Sequence, residues 1–312
     1  MGVPLHRRHD ASRSGADNEK GWRATMRRTL RHAKGDRLNV VAGSLAYRWF
    51  LSLFPILITL LGIGALVHLS PSVTSRLVHG ASVALPSGAS GVLTSAVKHA
   101  VKRTSGALPT VIVAGLVALF SGTSSMTVLQ SGLDMAYDIA VDRKFVPKRL
   151  VALFMLAFAV VLGGAASALL VFGPQLGRLV AGSVSIGGTA FVVVWTVVRW
   201  VAAVALVLTL FAVLYWLGPN RATPRFKWLT PGAFLGTLLW ALASLAFSYY
   251  TSSFGSYGKT YGAFAGVALL IFWFYVTGAV VLLGAEVNAE VEREGRPTRD
   301  AARATRAAQV AV

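Results

Sequence analysis

Apolar runs recur six times along this chain, at 45–67, 111–129, 150–172, 191–217, 232–250 and 262–283, with polar or turn-rich segments between them. A helix rises about 1.5 Å per residue, so roughly 20 residues cross a hydrocarbon layer about 30 Å thick. Each run is of that order. None alternates with the period of two expected of barrel strands, so the runs are read as helices. The pattern predicts an all-α polytopic membrane protein with six transmembrane helices. The first run follows some forty polar, basic residues and is too long for a signal-peptide core, so it is expected to stay as an anchor.

The segments between the runs carry weaker helical patterns. KGWRATMRRTLRHAKGDR, 20–37, sets Trp22, Met26, Leu30 and Ala33 on one face and Arg23, Arg27, Arg28, Arg31 and Lys34 around the rest. This predicts either an amphipathic helix lying in the membrane interface or a solvated basic arm that enforces topology. Two further interfacial helices are expected at 72–84 and 88–104, separated by LPSG. SSMTVLQSGLDMAYDIAVDRKFVPKR, 124–149, is expected to prolong the second span as an amphipathic helix, with Pro147 opening the third. The chain then divides into a basic arm, 1–37, a six-helix domain, 38–292, and a tail, 293–312, expected to be disordered, as are residues 1–19, which are polar with no periodicity.

Composition agrees with a bilayer protein: 312 residues, 55% hydrophobic and only 13% charged, at a mean hydropathy of +0.63. Of thirty Lys and Arg, 23 fall in the arm up to Arg48, in 130–149, in 218–231 and in the tail, against six in the alternate loops. The positive-inside rule places both termini in the cytoplasm and 68–110 outside. All twelve acids lie in the arm, at Asp134, Asp138 and Asp142, or in the tail from Glu286 onward.

Candidate chemistry is sparse. With no cysteine there is no thiolate or disulfide chemistry. The six histidines, at 6, 9, 32, 68, 79 and 99, do not cluster, so no metal site, cofactor or catalytic constellation is expected. Asp134, Asp138 and Asp142, spaced i, i+4, i+8, would share a helix face; four basic residues follow, and a solvated charged face is the reading preferred over a cation site. A nucleic-acid role is not expected of an arm tethered beside a membrane.

Arg199 interrupts the fourth run near its outer boundary. It either snorkels as an interface anchor or meets an anionic headgroup, since no acid lies at that depth. Arg48, Lys259, Tyr47 and Tyr261 join it as candidate headgroup or substrate contacts, with Tyr257 at the same cavity mouth. Glu286 is expected to pair with Arg48. Pro55 is expected to kink the first span, and Gly232, Gly236, Gly262 and Gly266, together with LGGAASA in span three, to allow close helix approach. The expected partners are membrane lipids, anionic phospholipid above all, with a homo-oligomer or another membrane protein as further options.

Several stretches are familiar as a set. LYWLGPN at 214–220, WLTPGAFLGTLLWALASLAFSYYTSSFGSYGKTYGAFAG at 228–266, LLGAEVNAE at 282–290, AYRWFLSLFPILITL at 46–60 and LDMAYD at 133–138 resemble the YihY/BrkB family of bacterial inner-membrane proteins. Family members usually carry Asn where this chain has Asp134. The resemblance implies six transmembrane helices with cytoplasmic termini. It implies no settled activity: members have been linked to envelope integrity, serum resistance or transport, and an older ribonuclease label is generally regarded as a misassignment. The expectation is a transporter or flippase-like protein for an anionic or lipid-like substrate, against a non-transporting envelope scaffold.

Overall fold

In the computed structural model, which describes residues 25–29, 38–66, 107–184, 189–221, 226–253 and 257–310, each of the six apolar runs, the first as far as residue 66, lies within a long helical segment. These are α1 (Leu38–Leu66), α2 (Ala107–Ala136), α3 (Phe145–Phe158) continued through a π-helical turn at Ala159–Gly163 into α4 (Gly164–Val184), then α5 (Thr189–Leu217), α6 (Pro231–Ser253) and α7 (Tyr257–Val310). There is no strand among the described residues.

Among the described residues, five stretches are long and apolar enough to cross a membrane: Val111–Ala136, Phe145–Leu170, Phe191–Leu217, Pro231–Tyr250 and Gly266–Arg293. At 29 residues α1 spans roughly 43 Å and is also long enough. Pro147 sits in the first turn of α3, where its missing N–H costs no hydrogen bond. Pro55 lies inside α1, and the hydroxyls of Ser52 and Thr59 on either side of it donate to the carbonyls of Arg48 and Pro55, at 2.8 and 2.7 Å.

Three expectations change. α7 runs to Val310, so residues 293–310 are helical rather than a tail without structure. α2 stops at Ala136 and does not continue to 149. Its end is a Schellman motif: Asp138 takes φ 53° and donates its N–H to the Met135 carbonyl at 3.0 Å, while the Ile139 N–H reaches the Asp134 carbonyl at 2.9 Å. Asp134, Asp138 and Asp142 therefore share no helix face. Third, residues 25–29 are helical with Thr25, Arg28 and Thr29 buried against the protein, so Arg28 is not part of an outward basic face. The helices expected at 72–84 and 88–104, and all six histidines, lie outside the described residues.

The helices close into a ring. α1 packs on α2 and α7, α7 on α6, α6 on α5, α5 on α4 and the π turn, and α3 returns to α2. The main core joins Leu38, Ala42 and Leu45 of α1, Leu129 and Leu133 of α2, Met155 of α3, Phe211 and Tyr215 of α5, and Val281, Leu282 and Ala285 of α7. It occupies the end of the bundle that carries residues 137–144, 218–221 and 226–230. Outward faces are apolar, as at Val113, Leu116, Phe120, Val161, Val193, Val201, Leu242 and Leu245. Apolar faces turned outward around a packed core are those of a protein dissolved in lipid rather than water.

Candidate functional site

Three of the quoted motifs, far apart in sequence, meet at that same end. LDMAYD ends α2, LYWLGPN ends α5, and LLGAEVNAE lies on α7. Helix termini bring unsatisfied carbonyls here, and long basic side chains supply the donors.

Arg143, from the α2–α3 loop, caps α5. Its guanidinium donates to the carbonyls of Leu217 at 3.1 Å, Pro219 at 2.8 Å and Gly218. A cation over three C-terminal carbonyls also opposes the negative end of the helix dipole. Burial lowers the Arg143 pKa, and Asp134 and Asp142 nearby act against that shift. Asn220 is held by two bonds, its N–H on Asp134 Oδ1 at 2.7 Å and its Nδ2 on the Val141 carbonyl at 2.9 Å. Asp134 is buried, and its Oδ2 is enclosed with no hydrogen-bond partner among the described residues. Gly218 is required for this turn: a Cβ there would fall 2.2 Å from Leu133 Cδ1 and 2.6 Å from the Leu214 carbonyl.

A second set of contacts ties α7 to the rest. Arg28 Nε donates to Glu290 Oε1 at 2.6 Å, and Arg293 reaches both Glu290 Oε2, at 3.1 Å, and Asp138, at 2.6 Å. Arg221 bonds Glu292 at 2.8 Å and the Tyr215 carbonyl at 2.6 Å, and its guanidinium carbon lies 4.9 Å from the centre of the Tyr137 ring. Burial pushes the Tyr137 phenol well above its ordinary range, with Arg221 opposing, and Tyr137 is hydrogen-bonded with Asn288. Asn288 accepts from the Gly232 N–H at 2.8 Å and donates to Thr230 Oγ1 at 3.0 Å.

Close backbone approach is concentrated at the α6–α7 contact. A Cβ on Gly232 would sit 2.0 Å from the Gly284 carbonyl oxygen, and one on Gly284 would sit 2.2 Å from the Tyr215 hydroxyl. That hydroxyl donates to the Val281 carbonyl at 2.8 Å. Gly236 lies against Phe211 and Tyr215. Lys259, Tyr261 and Gly262 stand in the first turns of α7, where side chains are outside the described set, and Gly266 is half-buried.

Glu286 is fully buried on α7, whereas Arg48 is exposed on α1 and forms no ion pair among the described residues. The expected Glu286–Arg48 pair is not formed. Tyr47, 61% exposed, also points away from the bundle.

Arg199 lies apart, half-buried on α5 and 18 residues before Leu217, about 27 Å along the helix. Its aliphatic stem crosses Gly173 of α4, where an added Cβ would be 2.8 Å from Arg199 Cδ. One turn away Trp195 covers Gly177 and donates its Nε1–H to the Gly173 carbonyl at 2.7 Å. The Arg199 Nε is enclosed with no hydrogen-bond partner among the described residues. The GPQLG pair that receives both side chains was not singled out in the sequence, although its i, i+4 glycines are the usual signal of a close contact. Arg143, Asn220, Asn288 and Arg28 were also missed as site residues. No group of three His, Asp or Glu is placed to hold a metal among the described residues.

An all-α bundle with apolar outward faces and its buried ionic groups gathered at one end defines a polytopic membrane protein. The chain belongs to the BrkB family: residues 29–309 match the family described as Virulence factor BrkB. It is 32% identical over 248 residues to a ribonuclease-like protein, YfkH, of Bacillus subtilis (strain 168), covering 80% of this chain and 88% of that one. It is 28% identical over 283 residues to the UPF0761 membrane protein VV0203 of Vibrio vulnificus (strain YJ016), covering 89% and 86%. A UPF0761 membrane protein of Pseudoalteromonas atlantica is 43% identical over 83 residues, about a quarter of either chain. No solved structure matches.

Proposed function

We propose that this chain is a non-enzymatic protein of the bacterial cytoplasmic membrane, with both termini and the ionic end of the bundle on the cytoplasmic side, that handles an anionic, lipid-like substrate as a transporter or flippase. The observation that carries this reading is Arg199. A guanidinium with an enclosed, unpartnered Nε, far along α5 from the ionic end, calls for an anion. The sequence supplies none there, because no acid occurs between Asp142 and Glu286 or between Asp36 and Asp134. A lipid phosphate fits the charge and the depth.

The test is reconstitution in vesicles carrying acyl-labelled fluorescent phosphatidylglycerol or phosphatidylcholine, with dithionite added outside. Wild type should expose inner-leaflet phosphatidylglycerol to bleaching, Arg199→Leu should slow this several-fold, and Arg199→Lys should keep part of the rate. Bleaching equal to that of protein-free vesicles, for both lipids and under every imposed pH or voltage gradient, overturns the reading in favour of a non-transporting scaffold.

A further inference from the structure

Arg149 is another cation without a carboxylate, and its direction is unusual. α2 and α3 run antiparallel, and two contacts set their register. A Cβ on Gly122 would lie 2.9 Å from Leu156 Cδ2, and Gln130 Nε2 donates to the Lys148 carbonyl at 3.2 Å. Arg149 therefore starts beside residue 129. Its guanidinium donates to Ser124 Oγ at 3.0 Å and Thr123 Oγ1 at 3.3 Å, and lies 5.1 Å from the centre of the Phe120 ring and 5.8 Å from that of Phe145. Ser124 is roughly 7 Å farther than residue 129 from the ionic end.

The side chain thus reaches toward the apolar part of the span, away from its own helix N-terminus. This is the reverse of snorkelling and of the usual tilt of helical side chains. Arg149 takes part in none of the ion pairs of the described residues. The rings beside it face outward, Phe120 at 67% and Phe145 at 74% exposure, as do Leu116 and Phe154. Two hydroxyls and two rings hold the cation in place, but neither neutralises its charge in a low-dielectric setting.

The geometry points to a binding site for an anionic phospholipid of the bilayer on the outward face where α2 and α3 meet, its phosphate on Arg149 and its acyl chains along the exposed Phe120, Leu116 and Phe154. The site stands apart from Arg199 and does not depend on whether the protein moves lipid.

The experiment is native mass spectrometry of the full chain released from nanodiscs of equal phosphatidylglycerol and phosphatidylcholine. Wild type should retain phosphatidylglycerol in several-fold preference, and Arg149→Gln should lose one such adduct in the Arg199→Leu background as it does in the wild-type one. Equal adducts in wild type and Arg149→Gln overturn the proposal, as does a variant that loses heat stability but keeps its adducts, for then Arg149 only staples α2 to α3. Should Arg149→Gln fail to fold, benzoylphenylalanine in place of Phe145 decides the matter in vesicles of the same composition. Photocrosslinking to phosphatidylglycerol is expected, and its absence, or equal capture of phosphatidylcholine, refutes the site.

Discussion

Replacing Gly232 by Ala places a methyl group where α6 and α7 touch backbone to backbone. The new Cβ would lie 2.0 Å from the Gly284 carbonyl oxygen, against about 3.3 Å for an ordinary carbon–oxygen contact. The obstacle is main chain, so relief requires the helices to part by more than about 1 Å. Parting strains two buried bonds, from the Gly232 N–H to Asn288 and from the Tyr215 hydroxyl to Val281. Overpacking costs about 1–3 kcal/mol, and a buried polar group left unpaired about 1–3 kcal/mol more. A loss of about 2–6 kcal/mol follows, which at about 2–4 °C per kcal/mol lowers the melting temperature by at least about 4 °C.

Gly43 is the control. Nothing lies within 4 Å of a Cβ built there, so Gly43→Ala in the interior of α1 should be neutral or stabilising by up to about 1 kcal/mol. The assay is tryptophan emission on heating in detergent, which suits a chain with eight tryptophans and no cysteine for thiol dyes. If Gly232→Ala melts with Gly43→Ala, the close approach of α6 and α7 is wrong.

Four further outcomes are expected. Arg143→Gln should cost about 2 kcal/mol or more in the same melt by uncapping α5, and Arg143→Lys should restore less than half, because an ammonium cannot span three carbonyls as a planar fork does. Arg28→Ala should speed limited proteolysis of the arm before residue 38 and lower stability by less than the about 3–5 kcal/mol of a bare buried charge, since Arg293 still donates to Glu290; an unchanged cleavage rate would show that the arm is not docked. Asp142 has its pKa held below the usual carboxylate range, chiefly by the Lys148 hydrogen bond. Its contribution is present above the unfolded value near 3.9 and is lost as pH falls through the folded one, so Asp142→Asn should flatten stability only below about pH 4, by a small amount for so exposed a group. Finally, an impermeant thiol reagent applied to intact cells should label a cysteine introduced at position 90 and not one at position 300; the opposite result would reverse the orientation.

The number, length and helical nature of the apolar segments were determined by the sequence alone, because a bilayer demands about twenty apolar residues in a hydrogen-bonded helix wherever it is crossed. So was the separation of basic and acidic residues along the chain. The motifs that mark the family were equally legible, but not their roles. LDMAYD read as a solvated acidic face because i, i+4, i+8 spacing has that meaning only while the helix continues, and the left-handed turn at Asp138 ends it. Whether Asp134 is solvated or buried depends on Asn220, 86 residues away.

The Glu286–Arg48 pairing failed for a related reason. Both residues were expected at one depth, but depth leaves rotation about the helix axis undetermined, and Arg48 faces outward while Glu286 faces the core. Rotation is set by packing: which small residue lets a neighbour approach, as Gly284 does for Gly232, and Gly173 for Arg199. The tertiary structure alone decided that basic residues of the arm and loops would serve as helix caps and buried partners, because the carbonyls and carboxylates they satisfy are assembled only when the ends of α2 and α5 meet the middle of α7.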